Sequence, residues 1–199
     1  MGKRLGLPDH AVTVALVTAL QESGLRNLRF GDRDSLGLFQ QRPSQGWGSP
    51  ADILVPRLAA AAFYGRLRQV AGWQTLAVTE AAQAVQHSAA PGAYAQWESQ
   101  ARVLAGTLTG EFPAGLACAH LGTLPALRDA ELRAAAAAEL RPLALTPSGG
   151  GALWTTASWL VAHAVAFGIR SVVAGTLRWD AGSGTWRPAP APGSGLRYG

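Results

Sequence analysis

The sequence predicts a mainly α-helical protein: an all-helical N-terminal domain over residues 1–110, then a small α/β module over residues 111–187. Three observations carry this. Apolar side chains recur at helical spacing in successive segments between Val12 and Leu108. Gly and Pro punctuate those segments at short intervals, leaving connections of ordinary length. After Glu111 the texture changes, and the run Ile169 to Ala174 is followed at once by a second strand-like run, Thr176 to Asp180. A chain of 199 residues that is 48% hydrophobic has ample core for one large domain or two small ones.

The first helix is the apolar segment Val12 to Leu20, with Val12, Ala15, Leu16, Ala19 and Leu20 at helical spacing. Pro8 and Asp9 mark its start and Gly24 its stop. Leu25 to Asp34 is polar and reads as a loop or small hairpin. Ser35 is placed to cap a short helix over Leu36 to Gln41, ended by Pro43, and Gly46-Trp47-Gly48 reads as a turn carrying an aromatic. Ser49-Pro50-Ala51-Asp52 combines a cap, a first-turn Pro and an acid three residues on. Further helices are expected from Pro56 to Val70, from Thr79-Glu80 to about Ser88, and from Tyr94 to Leu108 with Gly110 as the stop.

In the second part, Phe112 to Thr123 is loop-like, Asp129 to Leu140 is an Ala-rich helix, and Leu143 to Gly151 is a turn region. Trp154, Ser158, Val161 and Val165 define a helix stopped by Gly168. Two strands over residues 169–180 and a short third at Thr185-Trp186 complete the module, and the Pro-rich tail over residues 188–199 is expected to be disordered.

Formal charge is +5, with 17 Lys and Arg against 12 Asp and Glu, and the basic residues are spread along the chain. Nucleic-acid binding calls for a clustered patch, so no nucleic-acid partner is expected, while a mildly basic surface suits an anionic polymer. The apolar stretches Ala11–Leu20 and Leu160–Ile169 are too short to span a bilayer, so no membrane segment is expected in this chain. Cys118 is the only cysteine, which leaves no internal disulfide. His120 and His163 lack metal-ligand spacing, and phosphate-loop and nucleophile-elbow motifs are absent, so neither metal nor cofactor is expected.

One residue organises the functional reading. Glu22 falls in the last turn of an otherwise uncharged apolar helix. Loss of water and the negative end of the helix dipole both disfavour its ionised form. A carboxyl kept protonated near neutral pH can act as a general acid, as in glycoside hydrolysis. Asp32 and Asp34 follow ten and twelve residues later. They are open to two readings: turn-forming loop residues paired with Arg33 or Arg29, or a second carboxylate that activates water. His87 is likewise either an exposed helix-end residue or a donor lining a cleft. Trp97 at helical spacing suits a core, whereas Trp47 in its Gly-flanked turn is the best candidate for a sugar-stacking platform.

Three motifs stand in order: Glu22-Ser23 after the apolar helix, Gly37-Leu38-Phe39-Gln40, and Ala84-Val85-Gln86-His87-Ser88 followed by Tyr94. This order resembles the lysozyme-like soluble lytic transglycosylases. The run from Gly31 to Gly48 is also similar to a group of lysozyme-like cell-surface proteins of high-GC Gram-positive bacteria. The resemblance covers residues 5–110 and extends more weakly into the C-terminal module, which looks like the small domain that follows cell-wall enzyme domains in those bacteria. It implies a lysozyme-like fold and cleavage of peptidoglycan between muramic acid and glucosamine, with Glu22 first acid and then base and a 1,6-anhydromuramyl product. It further implies that Ser23, Gly37, Gln40, Gln86 and Tyr94 contact substrate, that no cofactor is needed, and that the protein works as a monomer at the cell surface or secreted. No export signal is visible at Met1, so a missing upstream segment or a mis-called start is expected. The third motif departs from the family's Tyr-Asn-small-Gly pattern, and a non-catalytic peptidoglycan-binding module is the alternative.

Overall fold

The computed structural model describes residues 1–88, 90–140, 145, 150–190, 193 and 195–199. The chain is mainly α-helical, with eight α-helices among the described residues and one small antiparallel sheet near its C-terminus. It divides into two compact units, Met1–Ala105 and Gly106–Gly199.

The first unit is built around α1, Asp9–Ser23. Nine of its residues are buried, among them Ala11, Val14, Val17, Thr18 and Leu20, so nearly every face is covered. The two threonines on those faces are satisfied inside the helix: Thr13 donates to the Asp9 carbonyl and Thr18 to the Val14 carbonyl. Gly24 ends the helix with φ of 61°, and the Leu25 N–H wraps back to the Ala19 carbonyl at 3.1 Å. That left-handed stop is why Gly follows Glu22-Ser23.

Around α1 lie α2 (Pro50–Ile53), α3 (Pro56–Leu67), α4 (Val78–Gln86) and a 3-10 segment, Pro91–Trp97, that leads into α5 (Glu98–Thr109). α1 packs on α3, α4 and the 3-10 segment. The α2 start is as expected: Ser49 Oγ accepts the Asp52 N–H at 3.2 Å, and Pro50 holds the first helical position. The Phe39 and Phe63 rings stack 4.8 Å apart in the core beside Tyr64, Leu67 and Trp73.

Leu36 to Gln41 is not the expected helix. Leu36 and Gln41 exchange backbone hydrogen bonds of 2.9 Å across a tight turn, and the Gly37 N–H donates to the Leu28 carbonyl at 2.7 Å. Gly37 and Gln40 both have positive φ, 76° and 46°, which breaks a helix at two points. At Gly37 a Cβ would sit 2.7 Å from the Ile53 carbonyl oxygen, so only glycine fits there.

The second unit begins within α5, whose last residues accept side-chain bonds from α7 (Gly150–Ala162): Ser158 to the Thr107 carbonyl at 2.9 Å, and Thr155 to that of Thr109. α6 (Asp129–Glu139), α7 and α8 (Ala164–Phe167) pack with β1 (Ser171–Ala174), β2 (Leu177–Asp180), β3 (Thr185–Pro188) and β4 (Leu196–Tyr198). The strand order is β3-β2-β1-β4, each pair antiparallel. Trp179 and Ile169 fill the core with Leu132 and Leu160.

β4 corrects the expectation of a disordered tail for the residues described there. Leu196 pairs with Ala174 and Tyr198 with Val172, which closes the free edge of β1. The Tyr198 hydroxyl then donates to Asp129 Oδ1 at 2.8 Å, anchoring the strand to α6. The expected turn over residues 143–151 falls mostly outside the described residues. No helix among the described residues is long and apolar enough to cross a membrane.

Candidate active site

Glu22 is half-buried in the last turn of α1, and the Tyr94 hydroxyl donates to its Oε1 at 2.9 Å. These residues are 72 positions apart in sequence. They meet because Pro91 starts the 3-10 segment that packs along α1 and leaves Tyr94 fully buried. Burial pushes the Glu22 carboxyl above its ordinary value, while the Tyr94 and Gln86 side chains favour the charged form and return part of that shift. Tyr94 in turn is pushed well above the ordinary tyrosine range, first by burial and then by the neighbouring carboxylate. It therefore stays a proton donor at any physiological pH, and it fixes the orientation of the Glu22 carboxyl through Oε1.

Gln86, the last residue of α4, donates through Nε2 to the Phe39 carbonyl at 2.8 Å, which joins the second and third motifs. Ser23 is buried. Its hydroxyl lies 3.0 Å from the Ala19 carbonyl and 2.7 Å from that of Leu38, so it fastens the second motif to the helix end. Gln40 also bonds inward, from Nε2 to the Gly37 carbonyl at 3.2 Å and to that of Phe30 at 3.4 Å. Gly37 makes its close approach to the Ile53 backbone.

Trp47, expected to stand open as a platform, lies in the core with 8% of its surface exposed. The Arg66 guanidinium covers its ring at 3.6 Å, anchored by a bond from Nη2 to the Gln45 carbonyl at 2.8 Å. Gly46 and Gly48, on either side of it, both have positive φ, 72° and 118°. Trp97 packs against the same core, as its spacing suggested, and also donates to Gln21 Oε1 at 2.8 Å.

The two aspartates differ sharply from Glu22. Asp34 Oδ1 accepts from Arg42 Nε at 2.7 Å, and its Oδ2 accepts the Ser44 N–H at 2.8 Å. Those bonds, led by the Ser44 backbone N–H, hold its carboxyl far below the usual carboxylate range. Asp32 is almost fully exposed and 3.8 Å from the Arg33 guanidine. Asp34 thus braces the loop with its charged form favoured, whereas Asp32 stands exposed in solvent.

Two contributors were missed from sequence. Gln21 receives both Trp97 and Gln96 and so helps seat the segment bearing Tyr94. Gln41 is 1% exposed and donates to the Ala59 carbonyl at 3.1 Å, pinning the turn to α3. Each is a glutamine beside a motif residue, the one signal that pointed to either. Among the described residues, no three His, Cys, Asp or Glu side chains group as metal ligands would. No family model matches the chain, and no curated protein shows significant similarity to it.

Proposed function

We propose that this protein cleaves the glycan strands of peptidoglycan at the bond between muramic acid and glucosamine, on a lysozyme-like helical unit, with Glu22 as the single acid and base. One observation carries the reading. A half-buried carboxyl at the end of the central helix is held on one oxygen by Tyr94, and burial raises its proton affinity. Protonated Glu22 gives its proton to the glycosidic oxygen as the muramyl C1–O bond breaks, releasing the glucosamine 4-hydroxyl. The muramyl 6-hydroxyl then bonds to C1 and returns its proton to Glu22, closing the 1,6-anhydro ring and restoring the acid. This sequence needs no second carboxylate, which agrees with Asp34 being held by Arg42 and Ser44 and Asp32 standing in solvent. The working site is then outside the membrane.

The second reading is a wall-binding module without catalysis. It is favoured by the inward bonds of Ser23, Gln40 and Gln86, which leave fewer free donors for sugar than a full set of motif residues would supply. Mass spectrometry of digests of purified peptidoglycan separates the two. Anhydromuropeptides from the wild type and none from Glu22→Gln are expected. Cleavage retained in Glu22→Gln overturns the role of Glu22. Binding without soluble product from the wild type establishes the module.

A further inference from the structure

A depression of about 280 Å³ lies between the end of α3 and the end of α4, lined by Arg66, Gln69, Val70, Ala84, Val85 and His87. We infer that it holds a carboxylate on the peptide substituent of a muramyl residue; this rests on the peptidoglycan reading of the Glu22 site. Arg66 is the only charged residue of that lining, and it has no carboxylate partner among the described residues. Its guanidinium is fixed from one side by the Trp47 ring and the Gln45 carbonyl. A guanidinium carries five N–H donors, so one bond to a carbonyl leaves a fork available to a planar acceptor. The match of such a fork to a carboxylate is bidentate, and the geometry here is set before ligand arrives.

His87 adds a second polar group. It caps α4 with φ of 51°, a left-handed conformation that non-glycine residues seldom adopt. Its imidazole and the Gln69 amide have no hydrogen-bond partner among the described residues. Val70, Ala84 and Val85 supply an apolar wall suited to the short aliphatic stem that carries an amino-acid carboxylate. The depression is tied to the Glu22 site through the chain itself. His87 directly follows Gln86, whose amide bonds the Phe39 carbonyl and lowers the proton affinity of Glu22. On this reading, strands bearing peptides are preferred over bare ones.

The test is NMR of the His87 imidazole in the full chain during titration with muramyl dipeptide, chitotetraose and inorganic phosphate as separate probes. A saturable His87 shift with muramyl dipeptide and none with the neutral chitotetraose is expected. Arg66→Lys should weaken the dipeptide about tenfold by removing the fork while keeping the charge. Gln69→Ala, at an exposed position that leaves the Trp47 contact intact, should weaken it by a smaller factor. A His87 signal unmoved by the dipeptide overturns the inference, and so does tighter binding of phosphate than of the dipeptide. Neither result bears on catalysis, which is judged by the Glu22-dependent product. A wild type that yields no product would sink the cleavage reading without altering the His87 data.

Discussion

In Met1–Ala105, long-range side-chain bonds gather at the end of one helix: Tyr94 to Glu22, Trp97 to Gln21, Ser23 to the Leu38 carbonyl and Gln86 to the Phe39 carbonyl. In Gly106–Gly199 they are dispersed among packing contacts. Ser158 bonds the Thr107 carbonyl, Trp186 that of Leu116, Trp159 bonds Glu139, and Tyr198 bonds Asp129. The dispersed bonds each hold one element to another. The gathered ones surround a carboxyl whose charged form is disfavoured by burial, so the first unit keeps a local instability where the described residues of the second keep none of that kind.

The largest expected effect follows from that contrast. Glu22→Gln should lower the rate of glycan cleavage by a factor of about 10³ or more, since it removes both proton transfers, and product mass spectrometry reads the loss. The same change should stabilise the fold at neutral pH. The folded-state value of Glu22 lies above its ordinary 4.5, so the folded chain binds that proton more tightly than the unfolded chain. Its contribution is most favourable in acid and is lost as pH rises through the folded value. Thermal unfolding should therefore find Glu22→Gln the more stable protein at pH 7, by on the order of 1 kcal/mol or less, with the gain fading below pH 4.5. A destabilised Gln variant at neutral pH would show that Glu22 is a structural carboxylate.

Next in size is a pair of serines, one from each unit. Ser23→Ala removes the bond that fastens the second motif to α1 and leaves the Leu38 carbonyl without it, at a cost of about 1–3 kcal/mol. Ser158→Ala removes an equivalent buried bond to the Thr107 carbonyl, at a similar cost. Only the first should also lower turnover, because only Leu38 adjoins the Phe39 carbonyl that seats Gln86. Equal losses of activity after correction for unfolding would erase the distinction between the units.

Legibility from sequence followed the strength of the local signal. α1 and its end were readable because an uncharged apolar run closed by glycine has few alternatives, and the meeting of Glu22 with Tyr94 was reachable through the order of three motifs. The turn at Leu36 to Gln41 was not, because one of its two left-handed residues is a glutamine, and its partners Leu28 and Ile53 are distant in sequence. Trp47 was misplaced for a related reason: flanking glycines announce a turn but not the side to which it throws the ring, and Arg66, which covers that ring, lies on α3, distant in sequence. β4 was missed because three residues beyond a Pro-rich stretch carry no periodicity. Its evidence is tertiary, in the edge of β1 and the carboxylate of Asp129.

The smallest effects separate the two aspartates. Asp34 is held by Arg42 and Ser44 with its proton affinity lowered, so the stabilisation it gives is present above the ordinary aspartate value of 3.8 and is lost as pH falls toward the folded value. Asp34→Asn should thus lower the melting temperature at pH 7, with the difference closing only in strong acid, and should speed amide exchange at Ser44, whose N–H loses its charged acceptor. Because the pair is solvent-accessible, the change should be modest and reduced by added salt. Asp32, exposed and facing Arg33 at 3.8 Å, should change neither stability nor exchange when converted to Asn. Cleavage should persist in both variants, slowed in Asp34→Asn only as far as the loop loosens. Loss of hydrolytic product in Asp32→Asn with the fold intact would instead make that exposed carboxylate the water-activating partner of Glu22, and the one-carboxylate mechanism would fall.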